Sequence, residues 1–230
     1  MKKTLLIVSL LAAVVVGGNA QTKDARLGLK VGPSFDWASS GSTDVNNFGA
    51  RLGFEMGLVA EYPISNLISV SSGVDFNLLR MRYEFMDHRN VNDFIEKVDV
   101  SVMRKAKVGN IEIPFKLKVG WGFLDAFKAY VEAGAGLGIN IKDMGKDSYT
   151  FNWITYEDNS YVDCTNQYRM FQGSLILGLG AEYEINRNLS VFAQLKFDHA
   201  FSNAFNRTFA SNTGSVLHNN FIGIEVGVLH

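Results

Sequence analysis

The chain has 230 residues, of which 47% are hydrophobic, and a formal net charge of -1. That length suits one compact domain, and so balanced a charge excludes the basic field with which a protein holds nucleic acid. Cys164 is the single cysteine, which excludes an internal disulfide framework of the kind that staples small secreted domains.

The N-terminus reads Lys2-Lys3-Thr4, then a run from Leu5 to Val16 that is apolar except for Ser9, then Gly17-Gly18-Asn19-Ala20. A charged start, a short apolar run and a small-residue site make a secretory signal peptide. The run falls short of the ~20 apolar residues of a spanning helix. Residues 1–20 are therefore expected to be cleaved and residues 21–230 to form the mature domain. Beyond Ala20 no stretch is long and apolar enough for a transmembrane helix, so the exported chain is either soluble or a β-barrel.

Strands point successive side chains to opposite faces, and eight segments have one oily face and one polar face. Arg26–Phe35 sets Leu27, Leu29 and Val31 against Gly28, Lys30 and Gly32. Phe48–Tyr62 sets Phe48, Leu52, Phe54, Met56, Leu58 and Tyr62 against Gly49, Arg51, Gly53, Glu55, Gly57 and Glu61. After the tight turn Pro63-Ile64-Ser65-Asn66, Ile68, Val70, Val74, Phe76 and Leu78 oppose Ser69, Ser71, Gly73, Asp75 and Asn77. In the fourth segment Ile111, Ile113, Phe115, Leu117, Val119 and Trp121 alternate with Asn110, Glu112, Pro114, Lys116, Lys118 and Gly120. The fifth opposes Ala129, Val131, Ala133, Ala135, Leu137 and Ile139 to Lys128, Tyr130, Glu132, Gly134, Gly136 and Gly138. The sixth sets Phe171, Leu175, Leu177, Leu179 and Tyr183 against Gln172, Ser174, Gly178, Gly180, Glu182 and Glu184. Leu189–Asp198 and Ile222–Val228 complete the set with the same alternation.

Long connections (Asp36–Asn47, Met86–Lys107, Asp143–Gln167, His199–Leu217) alternate with short turns after Tyr62, Trp121 and Ile185. In an up-and-down barrel this puts long loops on one rim and short turns on the other, the pattern of outer-membrane barrels. The fold expected is all-β: an eight-stranded antiparallel up-and-down transmembrane β-barrel. A soluble lipocalin-type barrel would instead point its oil inward at a ligand. Glycines crowd the polar face, as a narrow lumen requires. Aromatics gather near the strand ends as two girdles, with Tyr62, Trp121 and Tyr183 at the short turns and Phe48, Phe171 and Phe197 at the long loops. Both features favour oil facing lipid.

Eight strands leave an interior that side chains can fill. The polar face supplies both signs: Arg51, Lys116, Lys128 and Lys196 among the bases, Glu55, Glu112, Glu132, Glu182 and Glu225 among the acids, with Lys30, Lys118, Asp75 and Glu184 beside them. Buried charges must pair, so these residues are expected to form a salt-bridge network that plugs the lumen. The same groups would also suit a gated or proton-conducting path.

The opening strand Arg26–Gly32 (R-L-G-x-K-x-G), the phrase Asn110-Ile-Glu-Ile-Pro-Phe-Lys-Leu-Lys and the strand Ala133-Gly-Ala-Gly-Leu-Gly resemble the PorT-like outer-membrane β-barrel family, within the OmpA-like small barrels. The resemblance implies an outer-membrane barrel. The family's founding member is associated with a secretion and surface-attachment system, and no motif here encodes that role. Strands of this kind commonly end on an aromatic residue read by the insertion machinery; this chain ends Val228-Leu229-His230, with His230 in the outward register.

No catalytic constellation stands out. His88, His199 and His218 have no spacing that pairs a nucleophile with a base, and Glu157-Asp158-Asn159…Asp163 lacks the ligand spacing of a calcium loop. No enzyme, cofactor or metal site is expected. In Asp143–Gln167, Tyr149, Phe151 and Trp153 alternate, with Asp158-Asn159 as a turn, as though the flanking strands continue as a hairpin. Those aromatics would offer a surface to an extracellular protein or glycan, or pack on neighbouring loops. Cys164 lies in the same loop and is expected to be at least partly accessible. The function expected is a small barrel in the outer membrane of a Gram-negative-type bacterium, with a plugged polar lumen, long extracellular loops and a structural or surface-interaction role. The alternative is a small-solute channel or a transport or secretion accessory barrel. Expected partners are outer-membrane lipid and the insertion machinery, with no nucleic acid, and the barrel is expected to be a monomer.

Overall fold

The structure, a computed structural model, describes residues 25–41, 45–89, 98–124, 126–151, 153–158, 160–186, 188–206 and 216–230. The expected signal peptide lies outside the described residues.

The strands are β1 (Arg26–Ser40), β2 (Val45–Pro63), β3 (Ile68–Arg89), β4 (Val98–Leu124), β5 (Phe127–Phe151), β6 (Ile154–Glu157), β7 (Val162–Asp163), β8 (Phe171–Asn186), β9 (Leu189–Ala200) and β10 (Leu217–Leu229). Each long strand pairs antiparallel with its neighbour in sequence, β5 pairs β8, and β1 pairs β10 to close the ring. The result is the closed eight-stranded antiparallel barrel that the alternation predicts. Closure leaves the ring with no free edge, which satisfies the wall's backbone without water.

Oil faces outward. Leu29, Met56, Phe115, Leu137, Leu177, Leu195 and Val226 are exposed around the wall, whereas Lys30, Glu55, Lys116, Lys196 and Glu225 are buried inside it. Tyr62, Trp121 and Tyr183 are exposed at the short-turn end of this belt, and Phe35, Phe48 and Phe171 at the other. A soluble barrel with its ligand cavity lined by the apolar face would have the opposite arrangement.

Above the belt, on the long-loop side, the pattern inverts. On β3 the outward set changes from Phe76 and Leu78 to Arg80, Arg82 and Glu84. Its inward set changes from Asp75 and Asn77 to Leu79, Met81, Tyr83 and Phe85. On β4 the inward residues Val100, Val102, Ala106 and Val108 give way to Asn110, Glu112, Lys116 and Lys118. β5 needs a bulge to follow. Its register passes from Asn110↔Asn140 to Gly109↔Lys142 and leaves Ile141 unopposed. One extra residue flips every later side chain to the other face, so Asp143, Gly145 and Asp147 turn inward while Lys142 and Lys146 turn out.

Much of the sequence expected to be loop is therefore strand. β3 runs on to Arg89, β4 starts at Val98, and β5 continues to Phe151 before folding back as the β5–β6 hairpin. The hairpin turns at Trp153, whose φ is 65°, rather than at Asp158-Asn159. Inside this upper storey Ala38, Val45, Leu79, Met81, Tyr83, Phe85, Val102, Val108, Tyr168, Phe205, Leu217 and Phe221 pack as one apolar cluster.

Candidate functional site

The lumen holds two tiers of ion pairs. In the middle of the belt, Lys196 Nζ lies 3.3 Å from Glu55, 3.3 Å from Asp75, 3.6 Å from Glu225 and 3.7 Å from Glu112. Lys30 Nζ shares two of those acids, at 2.8 Å from Asp75 and 2.7 Å from Glu225. Lys116 pairs with Glu132 at 2.6 Å. These residues come from seven strands, each at an inward position of its own alternation. Glycines make the room: a Cβ at Gly136 would land on the Glu112 carboxylate, and one at Gly223 on that of Glu55.

Nearer the short turns, two bases and two acids form a closed ring. Lys118 Nζ is 2.9 Å from Glu61 and 2.8 Å from Glu182, and Arg26 bridges the same two carboxylates from the other side. Ser69 and Ser190 donate hydroxyl hydrogen bonds to Glu61 and Glu182 at 2.7 and 2.9 Å. Lys118 also sits 4.1 Å over the Tyr130 ring. This ring floors an 880 Å³ vestibule open at the short-turn end, where the half-exposed pair Lys128–Glu184 marks the rim.

Of the lumen residues expected from sequence, Glu55, Glu112, Lys196 and Glu225 share the central tier. Lys116 and Glu132 pair beside it, Glu182 belongs to the lower ring, and Lys128 stands at the mouth. Arg51 joins none of them: it lines a hollow at the upper edge of the belt with Arg80 and Arg82. Arg26 and Glu61 were not singled out from sequence, although both stand in the inward register of their segments, which was the available signal.

Over the lumen sits the apolar cluster, and a buried ion pair lies within it. The Arg104 guanidinium grips Asp147 through Nε at 2.6 Å and Nη2 at 2.8 Å, and lies 5.0 Å over the Phe85 ring. Tyr83 and Tyr168 share a hydroxyl hydrogen bond beneath it. Of the three aromatics expected at the hairpin, Tyr149 and Phe151 pack against this cluster, Tyr149 stacking on Tyr156 with ring centroids 5.1 Å apart. Trp153 stands fully in solvent at 101%. Cys164 corrects the expectation of an accessible thiol. It is 7% exposed within the cluster, and burial pushes the thiol up to about 11. A reactive thiolate at neutral pH is suppressed by both effects.

A family model described as outer membrane protein beta-barrel domain matches residues 19–206. Among solved structures, Neisserial surface protein A is similar at 13% identity and a TM-score of 0.45, covering 88% of this chain and 96% of its own. The attachment invasion locus protein Ail of Yersinia pestis is 11% identical, with a TM-score of 0.38 and coverage of 90% and 99%. Escherichia coli outer membrane protein W is 17% identical, with a TM-score of 0.38 and coverage of 89% and 97%. No curated protein matches the chain.

Proposed function

This chain belongs to the outer membrane protein beta-barrel domain family, and from that premise we propose that it is a non-conducting surface barrel whose work is done by its upper storey. The inversion of the wall carries this reading. Arg80, Arg82, Glu84, Lys105 and Lys107 face outward above the belt, with Met81, Tyr83 and Val102 packed within. That is the pattern of a water-soluble sheet with its own core, built on the end of a lipid-facing one. A barrel that only spanned the bilayer would need neither the extra strand length nor that core. The ion-paired lumen below and the apolar cluster above both oppose a water path. Trp153, at the tip of the β5–β6 hairpin, is the exposed anchor for a protein or glycan partner. No reaction is assigned to the barrel. Within the family, the Arg26–Gly32 and Asn110–Lys118 phrases favour a PorT-like relative.

Two expected outcomes test this. Purified protein in planar bilayers is expected to show negligible ion conductance at neutral pH. Steady, large unitary currents would instead make the vestibule at the short turns the mouth of a channel and favour the small-solute alternative. For orientation, the long-loop end is expected to face the medium. In a Cys164→Ser background, Trp153→Cys should react with a membrane-impermeant maleimide on intact cells, whereas the wild-type Cys164 should label at most weakly until the protein is denatured. Labelling of position 153 only after the outer membrane is breached would invert the barrel in this account.

A further inference from the structure

At the upper edge of the belt the β2–β3 seam is irregular. Register breaks between Asn47 and Ala50 and again between Ala50 and Phe54, and Gly49 takes a φ of 87°. The seam opens into a hollow of 320 Å³ lined by Phe48, Ala50, Arg51, Leu52, Arg80 and Arg82. Arg51 Nη1 and Arg82 Nε are buried and have no hydrogen-bond partner among the described residues. Two described acids stand next to this part of the seam: Asp36, whose carboxylate accepts the Arg80 backbone N–H at 2.7 Å from the inner side of the wall, and Glu84, outside the lining of the hollow, whose carboxylate accepts the Ser101 hydroxyl on β4. Lys107 and Lys105 stand opposite Arg80 and Arg82 on β4; Lys105 is paired with Glu157 at 3.4 Å, while Lys107 lies 3.8 Å over the Tyr161 ring and adds to the positive field.

Arg51, Arg80 and Arg82 line one hollow that has no carboxylate among its described lining residues; like charges there repel one another, and a buried donor with no acceptor is costly. An anion with several acceptor oxygens resolves both. Arginine's fork suits a phosphate better than any other common group. The position decides what carries that phosphate. Leu52, Phe54 and Leu78, exposed on the lipid side, lie directly below, so an anion seated here has its neighbouring atoms in the acyl region. We propose that this hollow is a binding site for the phosphomonoester headgroup of a membrane lipid in the leaflet at the long-loop end. The inference rests on the belt facing lipid, not on which end faces the medium.

The test uses the refolded full chain in detergent micelles, with lipid retention read by native mass spectrometry. Phosphatidic acid, which exposes a phosphomonoester, is expected to bind at least about tenfold tighter than phosphatidylcholine, whose phosphate is capped. Arg80→Gln/Arg82→Gln should remove that preference and leave phosphatidylcholine binding unchanged. Lys142→Gln, an exposed charge on the same rim outside the hollow, should leave the preference intact. Inorganic phosphate at the same concentration should fail to displace the lipid. Equal retention of the two lipids by the wild type overturns the proposal, as does a preference that survives the double substitution or falls equally with Lys142→Gln. Complete displacement by inorganic phosphate makes the hollow a free-anion site and also overturns the lipid assignment. Should the double variant fail to fold, Arg82→Lys keeps the charge but loses the fork, and undiminished preference in it counts against the proposal.

Discussion

Lys196→Met is expected to destabilise the barrel by about 3–5 kcal/mol, the largest loss from any single lumen substitution. Its ammonium is wholly buried and lies within 4 Å of four carboxylates, Glu55, Asp75, Glu112 and Glu225. Methionine matches the volume but leaves those acids without the cation they share. Lys30 relieves only Asp75 and Glu225. Lys128→Met removes a base from the half-exposed rim pair with Glu184 and should cost only about 0–1 kcal/mol, because water screens that pair. Urea unfolding of both variants in lipid vesicles, followed by tryptophan fluorescence, measures the difference. Equal midpoints would mean that the central tier is hydrated, and the non-conducting reading would fall with it.

Leu177→Arg should cost about 2–4 kcal/mol, the penalty for a guanidinium facing lipid near the bilayer midplane. Leu177 is 43% exposed and occupies the middle outward position of the β8 belt between Phe171 and Tyr183. The control is Ile154→Arg. Ile154 is comparably exposed, but on the β5–β6 hairpin above the belt, so arginine there meets water and stability should move by no more than about 0.5 kcal/mol. Exposure is similar at the two sites and the surroundings differ, so the contrast reads the solvent and not the packing. If both substitutions were neutral, the oily wall would not be in lipid. If both were costly, the hairpin would be embedded as well.

Within the belt the sequence was legible because each strand obeys a single rule. A period of two with oil on one side can be read residue by residue. It yields the strand number, the antiparallel order and the inward set from Lys30 to Glu225. It fails where the rule changes sign. The Leu79–Phe85 stretch still alternates, but its apolar residues take the face that carried Asp75 and Asn77, so a search for oil facing out loses the strand at the inversion. The bulge at Ile141 is harder still, since one unopposed residue moves Asp147 inward to meet Arg104 and nothing local in Ile141-Lys142-Asp143 announces it.

The sequence by itself determined that the chain closes into an eight-stranded barrel and which residues face its axis, because a strand's two faces follow from covalent geometry alone. Only the tertiary structure decided which inward charges meet. Register and shear bring Lys196 to four acids from four other strands, and they send Arg51, inward by the same count, to a hollow with Arg80 and Arg82 instead. Ion pairing depends on how far neighbouring strands slide past one another, and that offset is set by the whole closed ring, not by any one segment.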